Sequence, residues 1–377
     1  MTIKNRAVVL TGGGARGAYQ AGVLKYIAEN VSEAQFDIIV GASSGAINAM
    51  GLASFGGDLK AGAPTIASLW SQLRMNQVFR TDIFSLLKIG LFWIYDFFLA
   101  GFTGKPLSHS LVDTRPLREL LQTVHRPDRI REAIEQGKFR SLAISATEVY
   151  TGSLVTFVQS KSFRLWQRAR RKAVATEIHV DHVMASAAIP LLFPSVLVNN
   201  RRYVDGCIRS TSPLGPAIRL GANQILAIGV RRYYLQDAKN GADVVLSEPE
   251  PNPSAAQLGS LILNSLFSES LDADVEHLER LNFLAPEQNE KSFGMKKVEI
   301  LVIRPSVDLG TLAKQYSDRV PLLIRFLLRG IGSERGSSSD ILSYLLFVPD
   351  FLTALIDLGY RDAQAEAAKI HQFFRSH

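Results

Sequence analysis

Two glycine-rich motifs lie within the first 45 residues, and each follows a short apolar run. The first, Gly12-Gly13-Gly14-Ala15-Arg16-Gly17, follows residues 7–10, and the second, Gly41-Ala42-Ser43-Ser44-Gly45, follows residues 38–40. The first motif predicts a strand-to-helix turn with free backbone N–H groups. The second is a G-x-S-x-G elbow, which exposes a serine hydroxyl on a strained turn. A loop whose N–H groups can bind an anion, beside an exposed serine, indicates acyl transfer with Ser43 as the nucleophile.

A dinucleotide-binding loop is the main rival interpretation of the first motif. That fingerprint also contains G-x-G-x-x-G, and it needs an acidic residue about 20 positions later at the carboxyl end of the second strand. Asp37 has roughly this separation, but it begins the apolar run that ends at Gly41. The elbow therefore occupies the place where the ribose would bind. We predict no nicotinamide cofactor and no other cofactor.

A nucleophilic serine needs a base, and histidine is the usual one. None of the seven histidines follows a convincing strand in a glycine-bounded turn: His109, His125, His179, His182, His277, His371 and His377. Asp205 is the better candidate, because it ends a short strand-like segment just before Gly206. An aspartate near its reference pKa of about 3.9 is a weak base, so burial and an oxyanion hole would have to compensate. The alternative is a turn aspartate that binds its own backbone.

Together these motifs resemble, in order, the three signatures of the patatin-like phospholipases, a family that uses a Ser–Asp dyad. The oxyanion loop G-G-G-x-R-G matches Gly12 to Gly17, and the nucleophile elbow matches Gly41 to Gly45. The family's Asp-Gly-Gly/Ala motif matches Asp205-Gly206-Cys207, with Cys207 in place of the usual Gly or Ala. Softer matches at 146–152 and 185–194 extend the resemblance over about residues 5–235.

The resemblance implies a three-layer α/β/α fold with a mainly parallel central sheet. It implies a catalytic domain over 5–235, followed over 236–377 by a mostly helical C-terminal extension with one further strand. The implied activity is that of a phospholipase A or esterase, with Ser43 as nucleophile and Asp205 as base. The N–H groups of about Gly13, Gly14 and Ala15 would hold the oxyanion. We expect Arg16 to anchor the loop or to meet a lipid phosphate.

Two alternatives remain. In ordinary α/β-hydrolases the elbow follows several βα units and a histidine comes later, whereas Ser43 follows what we predict as the second strand. A Ser-His-Asp hydrolase would leave His182, beside the 185–194 match, as the first histidine to test. The other alternative is a catalytically silent lipid-binding or scaffold protein on the same fold. Ser43, Asp205 and the glycine-rich loop are all intact, which favours the enzyme.

Apolar runs predict strands near 6–11, 37–42, 141–148, 153–157, 202–205, 224–230 and 297–303. Strands that alternate with helical segments indicate a mainly parallel sheet covered on both faces. Capping and periodicity predict a helix from Ser212 to Gly221, a helix over 255–283, and one over 341–347 that is capped by Asp340. Residues 247–254 have the composition of an extended linker.

Composition limits the partners and the compartment. The 377 residues carry a formal net charge of +7, and the isoelectric point is near 9.4. No nucleic-acid-binding motif accompanies this charge, so we expect an anionic lipid partner and no nucleic acid. The single cysteine excludes an internal disulfide, and the first strand begins too early for a signal peptide. We therefore expect a cytoplasmic protein that contacts membranes peripherally, and no metal-ligand spacing is visible.

Two segments bear on membrane contact. Residues 83–102 are rich in aromatic side chains but are interrupted by Lys88 and Asp96, so a membrane span is not expected. They fit either a lid in the bilayer interface or a helix pair packed over the active-site cleft. Residues 164–172 carry five cations around Trp166, and we expect a basic helix face that is solvated or meets lipid phosphates. We expect 320–329 to form a helix packed on the core.

Overall fold

The computed structural model describes residues 5–80, 112–190, 192–210, 213–232, 271–284, 297–319 and 338–375. The predictions for residues 83–102, 247–254 and 320–329 lie outside this part of the chain. The same holds for Ser212 and for the first half of the predicted helix 255–283.

In the described part of the chain, ten strands form one mixed sheet, which is parallel at its centre. The strands are β1 Arg6–Leu10, β2 Ile38–Ala42, β3 Ser141–Glu148, β4 Leu154–Ser160, β5 Gln167–Arg168, β6 Arg171–Ala175, β7 Val196–Val198, β8 Arg201–Asp205, β9 Gln224–Ile228 and β10 Glu299–Ile303. Their order is β10-β9-β1-β2-β3-β4-β6-β5, and β8 pairs with both β3 and β7. The first five strands in this order are mutually parallel, whereas β4 and β8 run antiparallel to β3.

Helices connect and cover these strands. They are α1 Gly17–Asn30, α2 Ser44–Ser54, α3 Leu59–Gln72, α4 Met75–Val78, α5 Arg115–Val124, α6 Pro127–Glu135, α7 Val180–Ser186, α8 Gly215–Arg219, α9 Leu271–Leu284, α10 Leu309–Lys314, α11 Ser338–Leu345, α12 Pro349–Ala365 and α13 Ala367–Arg375. Single 3₁₀ turns occur at Gly14–Arg16, Gly206–Ile208 and Ser317–Arg319.

Apolar residues on both faces of the central strands explain the layered architecture. In β1, Val8 and Leu10 pack into one core cluster, and Ala7 and Val9 pack into a second cluster. The first cluster is covered by helices that include α1, α2 and α12, and the second is covered by α8 and α9. A sheet buried on both sides has this continuous apolar pattern. The predicted three-layer α/β/α fold with a mainly parallel sheet is therefore confirmed.

The C-terminal helix α12 approaches α1 at backbone distance. A Cβ added to Gly22 would lie 2.0 Å from the Ile356 carbonyl oxygen, and one added to Gly359 would lie 2.1 Å from that of Tyr19. The Tyr19 hydroxyl donates to Asp362 Oδ2 at 3.0 Å. Reciprocal glycines thus let the two helices pack without side chains between them.

Three local predictions are wrong. Residues 164–172 are not a helix face, because β5 and β6 form a hairpin here and β6 pairs with β4. Arginine, alanine and lysine favour helix in isolation, but edge pairing overrides this propensity, and charged residues are common on edge strands. Asp340 is not a cap, since α11 already begins at Ser338. The helix predicted to start at Ser212 begins later, at Gly215, whereas its predicted close at Gly221 agrees with the structure, because Gly221 follows the C-cap residue Leu220 with a φ of 92°.

All seven predicted strands are present within a few residues of their expected bounds. The short strands β5, β6 and β7 were not predicted, because two to five partly polar residues carry too little periodicity. None of the helices in the described part of the chain combines the length and the hydropathy that a membrane span requires.

Candidate active site

Ser43 sits on a strained turn between β2 and α2. Its backbone φ is 53° and its ψ is −128°, in a region that non-glycine residues rarely adopt. A Cβ on Gly41 would lie 2.4 Å from the Gly45 carbonyl oxygen, and one on Gly45 would lie 2.1 Å from the Leu10 carbonyl oxygen. Both glycines of the elbow are therefore required for close backbone packing.

A neighbouring serine fixes this turn. The Ser43 backbone N–H donates to Ser186 Oγ at 2.9 Å, and Ser186 Oγ donates to the Ser145 carbonyl oxygen at 2.6 Å. Ser186 ends α7 and is fully buried. The sequence drew attention to the stretch that contains Ser186, but nothing in one sequence predicts which backbone group its hydroxyl holds.

The glycine-rich loop lies directly against the nucleophile. A Cβ on Gly12 would lie 2.6 Å from Ser43 Cβ and 2.3 Å from Cys207 Sγ, so the loop touches both the elbow and the base motif. Gly14 has a positive φ of 55°, which glycine adopts without strain. The N–H groups of Gly13 and Gly14 donate to no residue in the described part of the chain. These N–H groups are available to an anion next to Ser43.

Buried polar side chains hold the loop and the following helix. Gln20 Nε2 donates to the Thr11 carbonyl oxygen at 2.8 Å, and Asn48 Nδ2 donates to that of Gly17 at 3.0 Å. Asn48 also donates to Gln20 Oε1 at 2.9 Å and accepts from Trp70 Nε1 at 2.6 Å. This network links α1, α2 and α3, and the sequence analysis missed it, because isolated amide residues on predicted helices give no signal of a shared partner.

Arg16 anchors the loop to the C-terminal part of the protein. Its guanidinium is buried and donates to Ser343 Oγ through Nε at 2.8 Å and through Nη2 at 2.6 Å. It also lies over the Tyr344 ring, 4.1 Å from the centroid. Of the two roles expected for Arg16, these contacts correspond to the anchor. The contribution of α11 could not be predicted, because more than 300 residues separate it from Arg16.

Asp205 is held at the end of β8 by its own backbone. Its N–H donates to the Ala188 carbonyl oxygen at 2.8 Å, and its carbonyl oxygen accepts from Thr147 Oγ1 at 2.9 Å. A Cβ on Gly206 would lie 2.1 Å from the Ser145 carbonyl oxygen, so this position requires glycine. The base motif is thereby clamped against β3.

The two carboxylate oxygens of Asp205 differ in their surroundings. Oδ1 accepts from the Cys207 backbone N–H at 2.8 Å. Oδ2 is buried and has no hydrogen-bond partner among the described residues. The self-bonded turn considered from the sequence is therefore present, but it uses only one oxygen. The other remains open as an acceptor.

Burial makes Asp205 a stronger base than a free aspartate. The side chain is fully buried, and loss of solvent is the main cause of a net rise in its pKa from 3.8 to about 6. The Ser43 hydroxyl, followed by the backbone N–H and thiol of Cys207, lowers the pKa and offsets part of this rise. The compensation that the sequence analysis required of a buried site is thus present at Asp205.

His182 does not match the role of the base. It is buried one turn before Ser186, where its Nδ1 accepts from the His179 backbone N–H at 3.0 Å and its ring packs edge-on to Phe157. Burial, assisted by His179, lowers its pKa to about 4. Its Nε2 has no partner among the described residues. No hydrogen bond joins His182 to Ser43 within the described residues.

An apolar pocket opens beside Ser43. Apart from the two serines of the elbow, its walls are mostly hydrophobic side chains that come from residues 47–193 and from the segment after α11. They include Ile47, Leu69, Trp70, Val78, Leu121, Phe193 and Phe347. The described residues contain no group of three or more His, Cys, Asp or Glu side chains placed to hold a metal ion.

The sheet and the turn at Ser43 define an α/β protein with a serine at a strand-to-helix elbow. The family model described as patatin-like phospholipase matches residues 8–218, which is more than half of the chain. This chain therefore belongs to the patatin-like phospholipase family. Membership in this family implies a lipid-hydrolysing enzyme.

Several solved structures are similar to this chain at low sequence identity. VipD from Legionella pneumophila is 13% identical with a TM-score of 0.39, and the match covers 99% of this chain and 67% of VipD. Human GIVD cytosolic phospholipase A2 is 12% identical with a TM-score of 0.46, covering 99% of this chain and 60% of that one. The Pseudomonas aeruginosa ExoU-SpcU complex gives 18% identity and a TM-score of 0.30, covering 74% and 51%. No curated protein matches the sequence significantly.

The raised pKa of Asp205 predicts a pH-dependent stability difference between the wild type and Asp205→Asn. The folded state binds the Asp205 proton more tightly than the unfolded chain, so this stabilisation is complete below pH 3.8 and is lost as pH rises through about 6. The neutral amide of asparagine avoids the loss. Above pH 7, we expect the free energy of unfolding of Asp205→Asn to exceed that of the wild type by about 3 kcal/mol, at about 1.4 kcal/mol per pKa unit.

Urea unfolding of both proteins at about pH 4 and about pH 7.5 measures this difference. The lower pH is the internal control, because the difference in free energy of unfolding between the two proteins should nearly vanish there. A gap that does not change with pH would contradict a raised pKa at Asp205.

The anchor of Arg16 predicts a stability cost for Ser343→Ala. The substitution leaves two buried guanidinium N–H groups without this acceptor, so we expect a loss of about 1–3 kcal/mol in the free energy of unfolding. Tyr344→Phe is the matched control, because it removes the longer 3.4 Å bond from Arg16 Nη1 and keeps the ring beneath the cation. Equal losses for the two variants in denaturant unfolding would show that Ser343 is not the main anchor.

Proposed function

We propose that this protein is a serine lipid acyl hydrolase that cleaves carboxylic esters through a Ser43–Asp205 dyad. One observation carries the proposal, which is that three features lie in close backbone contact. They are the serine on a strained elbow, the buried carboxylate whose second oxygen has no partner among the described residues, and the loop whose N–H groups donate to none of them. Each feature alone has a structural explanation. Their convergence at one edge of the sheet supports acyl transfer.

In the proposed first step, Asp205 accepts the Ser43 proton while Ser43 Oγ attacks the ester carbonyl. The negative charge that develops on the carbonyl oxygen is held by N–H groups of the loop, about Gly13, Gly14 and Ala15. Collapse of the tetrahedral intermediate breaks the ester bond. The departing alkoxide takes the proton back from Asp205 and leaves as an alcohol, so that Ser43 carries the acyl group.

In the second step, water replaces the alcohol. Asp205 accepts a proton from the water as the water oxygen attacks the acyl carbonyl, and the same N–H groups hold the second oxyanion. Collapse breaks the bond to Ser43 Oγ, which recovers its proton from Asp205. The products are a free fatty acid and the starting enzyme, so no cofactor or metal is consumed in this scheme.

The environment of Asp205 suits this role. A base is most effective when its pKa lies near the working pH, and a pKa of about 6 is closer to neutrality than that of a free aspartate. The carboxylate is still largely ionised at pH 7. Burial therefore raises basicity without removing the ionised form.

The apolar pocket supports a lipid substrate. Its hydrophobic walls begin at Ser43 and extend to Phe347, and such a surface favours an acyl chain over a polar substituent. In this proposal the ester carbonyl lies at the mouth of the pocket, between Ser43 and the glycine-rich loop.

Removal of the nucleophile tests the proposal. We expect Ser43→Ala to abolish release of fatty acid from a phospholipid panel and to abolish labelling by a fluorophosphonate probe. Ser44→Ala is the matched control, since the Ser44 hydroxyl is buried without a partner among the described residues and takes no part in the scheme. A chelator should leave activity unchanged. Labelling that survives in Ser43→Ala would contradict the assignment, and a wild type that neither labels nor hydrolyses would favour a silent lipid-binding protein.

The dyad also predicts the pH dependence of kcat/KM. Only the ionised carboxylate accepts the proton, so activity should be half-maximal near pH 6 and fall about tenfold per unit below it. The Cys207 thiol lowers the pKa of Asp205, so Cys207→Ala should move the midpoint to higher pH. Cys207→Ser keeps a donor and is the control. An unchanged midpoint in Cys207→Ala would show that the thiol does not tune the base.

A further inference from the structure

A cluster of arginines lies at the tip of the hairpin formed by β5 and β6. Arg168 and Arg171 are directly opposed across the two strands, and Arg170 occupies the turn with a φ of 60°. All three side chains are exposed. The hairpin continues the sheet from β4, so its tip lies next to the turn that connects β3 and β4.

Two further arginines adjoin this tip. The Arg209 guanidinium lies 3.4 Å from the position of a Cβ on Gly152, in the turn that precedes β4. The Arg219 guanidinium lies 5.9 Å from the centroid of the Trp166 ring, just before β5. Burial, followed by repulsion from Arg168 and Arg171, lowers the pKa of Arg219. We call these five residues the arginine surface.

The arginine surface has no counter-charge in the described part of the chain. None of its guanidinium groups forms an ion pair or a hydrogen bond there. By contrast, the nearby cations Lys172 and Arg201 share the buried carboxylate of Glu148. Residues 149–176 contain no aspartate or glutamate. Five cations that no described residue neutralises repel one another, and an anionic partner would remove this cost.

Exposed apolar side chains accompany the arginines. Tyr150, in the turn before β4, is 85% exposed, and Leu165, beside Trp166, is 61% exposed. Ile218, next to Arg219, is 37% exposed. Cations that surround exposed aromatic and aliphatic groups are typical of surfaces that bind the interface of a bilayer.

We propose that the arginine surface docks the protein on a bilayer that contains anionic phospholipid. This inference rests on the proposed function, since a lipid hydrolase finds its substrate in such a layer. Charge complementarity selects the anionic bilayer as the partner. Arg209 follows Cys207 by two residues, so docking brings the turn after Asp205 to the lipid headgroups.

Vesicle sedimentation of the full chain, carrying Ser43→Ala to prevent hydrolysis, tests this docking. We expect binding to phosphatidylcholine vesicles that contain phosphatidylglycerol and much weaker binding to phosphatidylcholine alone. Neutralising Arg168, Arg170 and Arg171 to glutamine should weaken binding by about 100-fold at low salt, at about fivefold per cation. The difference should shrink as salt screens the charges, over a Debye length of about 10 Å at 0.1 M.

A matched triple variant separates the arginine surface from net charge. Lys60→Gln, Arg129→Gln and Lys138→Gln remove the same three charges from exposed positions without ion pairs elsewhere on the described surface. This control should bind like the parent. An equal loss in both triple variants, equal binding to neutral vesicles, or no vesicle binding by the parent would overturn the proposal.

Hydrolysis of a soluble short-chain ester distinguishes failure of the docking proposal from failure of the proposed function. With Ser43 present, the arginine triple variant should hydrolyse such an ester at the parental rate, because none of the three residues belongs to the dyad or the loop. Loss of vesicle binding at full esterase activity supports the docking surface. If the protein with Ser43 present binds vesicles but has no esterase activity, the docking proposal would stand and the proposed Ser43–Asp205 dyad would be contradicted.

Discussion

Close backbone contact around Ser43 is the constraint on which the site depends. The ends of β1, β2 and β3 and the turn after β8 meet so closely that a Cβ at Gly12, Gly41, Gly45 or Gly206 would lie 2.1 to 2.6 Å from a neighbouring atom. Only glycine fits at such distances. The strained backbone of Ser43 persists because these contacts and the Ser186 hydroxyl hold it on several sides.

Within this packing, the chain buries a carboxylate that it only partly satisfies. One oxygen of Asp205 accepts an N–H group, whereas the other faces the interior without a partner in the described residues. Such a group lowers the stability of the fold at neutral pH, because water would solvate its charge better. The same loss of solvent raises its basicity, so one physical cause accounts for both the cost and the chemical usefulness of the residue.

The predicted parts of the fold and site share one property, which is that their signal is local. Buried parallel strands are continuous apolar runs, and the glycines at 12–17 and 41–45 report close backbone approach directly in the sequence. The parts that were missed depend on partners far along the chain. Ser186 holds Ser43 across 143 residues, and Ser343 holds Arg16 across 327. The hairpin at 167–175 was mistaken for a helix because pairing with β4, rather than its own propensity, decides its conformation.

The contact between Arg16 and Ser343 has a consequence for the order in which the protein matures. The glycine-rich loop leaves the ribosome before α11, which emerges only after more than 300 further residues. Until then the guanidinium of Arg16 lacks this acceptor, and the pocket lacks its Phe347 wall. A nascent chain that has already formed the dyad region therefore still has an incomplete pocket. The fully formed site therefore appears only after α11 and Phe347 have been synthesised.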